Sequence, residues 1–390
     1  MQEVALLLVL MLAVASGWLL GCRQRRCSKK DSGKRLPESY YRGLNYLLNE
    51  QPEQAMAMFL QALDDNSEAV DTHLALAKLF RARGDFTKAT QIHQNLLARP
   101  NLETAEQLLV RFELASDYMA AGLFDRAERL LKELLIESST DIRKKSLTLL
   151  LELYQREKDW PEAIKTARAL LDMKDSSMES VIAQYLCEQA ESFSQCGDEA
   201  AARLALRNAL GHDSDCIRAH LLLAKTDIQA KKYKDAIKSL KLVKKKDDAY
   251  LAESLPILQT CYQQLGQEKQ FYEYLLECLN DGSLISSGFN ASQAMRKEST
   301  KPEQLSQRIR DEAHQAPSLH GLRYLIDCQM YDAEGSSIHY LQSLREFVDQ
   351  LIAVHPAYRC KQCGYQGKHL TWLCPSCQQW GTIRPSHTIE

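Results

Sequence analysis

The chain has 390 residues, with 49 Lys and Arg against 51 Asp and Glu and a formal net charge of −2. That balance gives no bulk electrostatic reason to bind nucleic acid or a strongly acidic partner, and only 16 Gly and 10 Pro exclude a collagenous or low-complexity chain. Abundant Leu, Ala, Glu, Lys and Gln, with no long β-branched alternation, predict an all-α body.

From Val4 to Cys22 the sequence reads VALLLVLMLAVASGWLLGC, roughly nineteen residues without a charge, enough to cross a bilayer as a helix. Arg23, Arg25, Arg26, Lys29, Lys30, Lys34 and Arg35 follow, against Asp31 alone. Positive charge behind the span and none before it predicts a cytoplasmic C-terminal side. A cleaved signal peptide would need a basic stretch ahead of the apolar one, where only Gln2 and Glu3 stand. Lipoprotein processing at Cys22 would carry the basic cluster across the membrane. Twelve cysteines, eight of them outside the motif described below, suit a reducing compartment. Residues 1–22 are therefore expected to be a transmembrane anchor and 23–35 a basic linker.

Residues 36–280 carry a repeat. Ala55, Ala89, Ala127, Ala163, Ala202 and Ala236 recur at intervals of 34, 38, 36, 39 and 34, close to the tetratricopeptide period. Twelve residues before each stands Gly43, Ala77, Ala115, Leu151, Ala190 or Ala224. Three further on come Tyr46, Phe80, Tyr118, Tyr154, Phe193 and, as the exception, Asp227. Small residues let paired helices approach and an aromatic fills the gap between stacked units. Gly84, Gly122 and Gly197 fall five residues before their anchor alanines, in the expected turns; Tyr262, Gly266 and Phe271 outline a weaker seventh unit. The predicted fold is an α-solenoid. Lys78, Arg81, Ser116, Met119 and Lys225 lie on first helices of their units and are candidate partner contacts on the concave groove.

The pattern fades over 281–355. Gly282, Gly288, Pro302 and Pro317 interrupt it, predicting degenerate helix pairs, and Leu319 to Val354 reads as a capping helical hairpin turning near Glu334-Gly335-Ser336. Residues 356–390 hold Cys360-x-x-Cys363 and Cys374-x-x-Cys377 with ten residues between the pairs. Each Cys-x-x-Cys turn aims two sulfurs at one ion, and two turns complete a closed tetrahedral thiolate site. Gly364 suits a turn that needs positive φ, Pro375 stiffens the second pair, and Tyr358, Tyr365, Trp372 and Trp380 can wrap the small ribbon. Four protein ligands leave no open position, so the expected role is structural, and four thiolates accept either zinc or iron. His369 and His387 are bystanders to a complete ligand set.

No glycine-rich phosphate loop, His-Glu-x-x-His or Gly-x-Ser-x-Gly is present, so the expectation is a non-enzyme. The rival readings are electron transfer by an iron-loaded ribbon and nucleic-acid binding by a tail tinted basic by Arg359, Lys361, Lys368 and Arg384. Membrane anchoring and the neutral overall charge count against nucleic acid.

The order of anchor, basic linker, repeats and ribbon, with the strings SDYMAAGLFDRAE (116–128), LQTCYQQLG (258–266), YRCKQCGYQ and CPSCQQWGTIRP, resembles the lipopolysaccharide assembly protein B family of Gram-negative bacteria over essentially the full length. The resemblance implies a single-pass bacterial inner-membrane protein facing the cytoplasm. It also implies one metal ion in a rubredoxin-like ribbon on Cys360, Cys363, Cys374 and Cys377. The implied role is that of an adaptor working with the membrane protease FtsH to limit the deacetylase LpxC, and with other lipopolysaccharide-synthesis or transport proteins. A membrane-tethered scaffold that does not act on proteolysis is the alternative; homodimerisation stays open.

Overall fold

A computed structural model of the chain describes residues 38–49, 51–65, 70–100, 102–137, 139–280, 319–332 and 337–386. The expected anchor (1–22), the basic linker (23–35) and the degenerate stretch 281–317 lie outside the described residues. Among the described residues no helix is long and apolar enough to cross a membrane. The chain divides into two compact units, 1–157 and 158–390.

The first unit contains α1 (Glu38–Leu48), α2 (Pro52–Asp65), α3 (Val70–Ala82), α4 (Phe86–Leu97), α5 (Thr104–Ala120), α6 (Phe124–Glu137) and α7 (Thr140–Glu157). Each helix packs on its successor, and α3, α5 and α7 also touch in series, the adjacency of stacked helical hairpins. The small residues act as the periodicity predicts. Ala55, Ala77, Ala89, Ala115 and Ala127 have no exposed surface. A Cβ added to Gly43 would come within 2.9 Å of the Phe59 ring, so only glycine lets α1 and α2 approach this closely.

The turns repeat as well. Gly84 and Gly122 adopt positive φ (87° and 74°). Each donates its N–H to the residue three back (Arg81 O, Met119 O), while the next residue donates to the aromatic position (Phe80 O, Tyr118 O). This is the left-handed helix stop of the Schellman type. Asp85 then accepts from the Lys88 N–H and caps the following helix.

The second unit contains α8 (Trp160–Asp172), α9 (Met178–Gln195), α10 (Glu199–His212), α11 (Ile217–Gln229), α12 (Tyr233–Lys246), a 3-10 turn (Asp248–Tyr250), α13 (Leu251–Gln264) and α14 (Glu268–Asn280). Here α9, α11 and α13 touch in series, and Ala163, Ala202, Ala224 and Ala236 are fully enclosed. Gly197 and Gly266 fill the turn position with φ of 82° and 65°, but Lys158 and Lys231 hold the same place with φ of 59° and 57°. The turn geometry therefore persists where glycine does not.

Two further helices, α15 (Leu319–Asp332) and α16 (Ser337–Val354), form a hairpin crossed by reciprocal ion pairs: Arg323 with Asp349 at 2.9 Å, and Arg345 with Asp327 at 3.1 Å. After it comes a three-stranded antiparallel sheet of β1 (Tyr358–Cys360), β2 (Gln366–Gly367) and β3 (Ile383–Pro385), in the order β2-β1-β3. The architecture is mostly helical, a tetratricopeptide solenoid with a four-cysteine ribbon.

Candidate metal centre

The ribbon is built from two turns of matching geometry. In the first, the Cys360 N–H donates to Tyr365 O and the Gly364 N–H to Cys360 O; in the second, the Cys374 N–H donates to Gln379 O and the Gln378 N–H to Cys374 O. The residue after each Cys-x-x-Cys has positive φ, 76° at Gly364 and 55° at Gln378. Glycine marked only the first of these turns in the sequence. In the second, the Gln378 side chain donates to Pro375 O at 3.0 Å and supports the strained position.

These turns bring the Cys360, Cys363, Cys374 and Cys377 sulfurs within 4.8 Å of one another. Cys360 and Cys377 are 3.7 Å apart, as are Cys363 and Cys374. A disulfide needs about 2.05 Å. Four sulfurs at about 2.3 Å around a tetrahedral ion would stand about 3.8 Å apart, so the donor set fits a single metal ion. The Thr382 hydroxyl, 3.3 Å from the Cys360 sulfur, pulls that thiol down to about 6. The Tyr365 backbone N–H holds Cys363 below its ordinary value. Both favour the thiolate that a metal requires. Cys360 and Cys374 are buried with Ile383, and Tyr358 and Leu370 pack around them.

Of the four aromatic residues expected to wrap the ribbon, Tyr358 packs on its cysteines as expected, while Trp372 and Trp380 attach it to the repeats of its own unit. Trp380 meets Tyr185 edge-on at 5.8 Å and Trp160 at 6.5 Å, while Trp372 stacks on Tyr250 at 5.6 Å. Tyr358 donates to Glu253, Arg384 pairs with Asp247 at 2.9 Å, and the Arg218 guanidinium lies 5.8 Å from the Trp380 ring centre. Burial pushes the Tyr185 and Tyr358 hydroxyls above their ordinary range, and the Tyr250 hydroxyl up to about 12. These contacts join segments more than a hundred residues apart, and no spacing rule in the sequence encodes them.

The candidate groove residues have different surroundings. Arg81 bonds to Asp117 at 2.7 Å and to Glu113 at 2.8 Å, inside a cluster completed by Lys78 and the fully buried His93. Met119 is buried, and Ser116 donates to Phe112 O of its own helix. Lys225 is exposed and lines two adjoining cavities in the second unit.

Comparison with known families matches residues 358–385 to the rubredoxin metal binding domain and residues 40–101 and 112–178 to the tetratricopeptide repeat. The chain is 32% identical over 387 residues to lipopolysaccharide assembly protein B of Escherichia coli (strain K12), covering 99% of this chain and 98% of that one. It is 32% identical over 397 residues to the protein of that name from Haemophilus influenzae, with the same two coverages. With repeats, ribbon and near-complete alignment in agreement, the chain belongs to the lipopolysaccharide assembly protein B family.

Proposed function

We propose that this protein is a membrane-anchored, cytoplasm-facing, non-enzymatic adaptor that limits lipopolysaccharide synthesis by presenting LpxC to the FtsH protease. Residues 1–22 hold it in the inner membrane, 23–35 link the anchor to the repeats of 36–280, residues 281–355 close the solenoid, and 356–390 form the ribbon. Cys360, Cys363, Cys374 and Cys377 hold one zinc or iron ion, which supplies the ribbon's folding energy. The observation that carries the reading is the seam of Tyr250, Trp372, Tyr185 and Trp380, which makes the second-unit repeats and the ribbon one binding body. A solenoid with a closed structural metal presents surfaces to other proteins, and the family name supports a place in lipopolysaccharide assembly.

The test is the lifetime of LpxC after protein synthesis is blocked, in cells depleted of this protein and then complemented. LpxC should persist on depletion and be turned over again with the wild type but not with Cys374→Ser. An unchanged lifetime would leave the scaffold reading, in which complexes of lipopolysaccharide-synthesis proteins are lost instead.

A further inference from the structure

A trough of about 370 Å³ runs between α11, α13 and the ribbon, and adjoins a cavity of about 350 Å³ across Glu191, Leu222 and Lys225. The repeats supply only part of it. The far wall is the ribbon segment Lys368, His369, Leu370 and Trp372.

The charges in the trough are unevenly committed. Glu191 pairs with Arg218 at 3.1 Å, and Glu253 accepts from Tyr358. Lys225 and Lys368 are exposed and have no ion partner among the described residues. Arg218, only 3% exposed, is held inside the wall by Glu188 at 2.8 Å as well as by Glu191. The unpaired charge facing the trough is thus that of Lys225 and Lys368, beside the half-buried apolar surface of Leu222, Ile257 and Trp372.

We infer that this trough is a composite docking site for an internal, extended segment of a partner protein, in which an Asp or Glu side chain bonds to Lys225 and Lys368 and a neighbouring apolar side chain lies on Leu222, Ile257 and Trp372. Charge complementarity selects the acidic group, and the apolar floor selects what flanks it. The inference deepens the adaptor reading and rests on it, by assigning the chemistry of the segment recognised. Because Lys368 and Trp372 belong to the ribbon, the site is complete only when the metal-dependent fold is docked. The cysteines thereby act on recognition without touching the partner.

The test selects from twelve-residue random segments displayed internally in a phage coat protein, with no free carboxy terminus, on the full chain purified with its metal. Enrichment of Asp or Glu beside Leu, Ile or Phe is expected. The selected clones should bind the Lys225→Glu/Lys368→Glu protein at least tenfold more weakly and the Lys225→Arg/Lys368→Arg protein as they bind the wild type. Helicity and metal content show that both variants remain folded. Failure to enrich, enrichment of neutral or basic segments, or undiminished binding to the Glu variant would overturn the inference. So would selection only of segments ending in a free carboxylate, which would make the trough a chain-end clamp. The LpxC lifetime reports on the adaptor reading separately, so either can fail alone.

Discussion

Tyr250 lies almost flat against Trp372, with planes 19° apart, and its hydroxyl donates to Ile383 O at 2.8 Å. One repeat side chain thus grips two separate stretches of the ribbon. Replacing Tyr250 with Phe keeps the stack but leaves a buried carbonyl without its donor, at a cost of about 1–3 kcal/mol. The expected result is faster amide exchange in β3 with little change in α3 to α7, read by hydrogen exchange.

Replacing Cys374 with Ser should abolish stoichiometric metal binding, because Cys374 is fully buried and supplies one of the four sulfur donors. Far-UV dichroism should keep most of its helical signal while Trp372 and Trp380 fluorescence shifts to the red. Full metal content in the variant would contradict the four-thiolate assignment.

The turn residues give a paired experiment. A Cβ at Gly122 would meet nothing within 4 Å, so Gly122→Ala measures backbone strain alone and should destabilise by ~1 kcal/mol. Lys231, already at φ 57°, should show the opposite sign: Lys231→Gly should stabilise by up to ~1 kcal/mol. Urea unfolding of the full chain reads both.

Glu113 reports on acid stability. Burial alone would raise its pKa, but hydrogen bonds from Arg81 and Lys78 override that and hold it below the ordinary value. Its contribution is therefore present above the unfolded value of about 4.3 and fades as pH falls through the lower folded one. Glu113→Gln should flatten the loss of first-unit stability below about pH 4. Asp117→Ala, which leaves the buried His93 Nδ1 without its partner while Arg81 keeps Glu113, should cost about 1–3 kcal/mol at neutral pH.

The repeat was readable because its rule is local: a small residue must sit wherever two helices cross. Every anchor alanine from Ala55 to Ala236 is enclosed accordingly. The metal motif was readable for the same reason, since two sulfurs three residues apart share a turn. Lys158, Lys231 and Gln378 escaped notice because the left-handed conformation prefers glycine without requiring it, and surrounding hydrogen bonds can hold another residue there. Register gives Arg81 a helix face but not its intrachain partners, since Asp117 and Glu113 lie more than thirty positions away. The docking of Trp372 and Trp380 was invisible because aromatic residues near a small metal site fit a self-contained ribbon equally well.

The seam between ribbon and repeats also has a place in time. Tyr250 and Ile383 are separated by 133 residues, and Tyr185 leaves the ribosome far ahead of Trp380. At about 5–20 residues per second, helices α8 to α13 have several seconds to stack before their aromatic cover is synthesised. During that interval the surfaces of Trp160, Tyr185 and Tyr250 await a partner whose fold a metal ion on the four cysteines would close. Metal supply during translation would then act as a checkpoint on maturation, and a chain starved of it would expose those rings to chaperones and proteases instead.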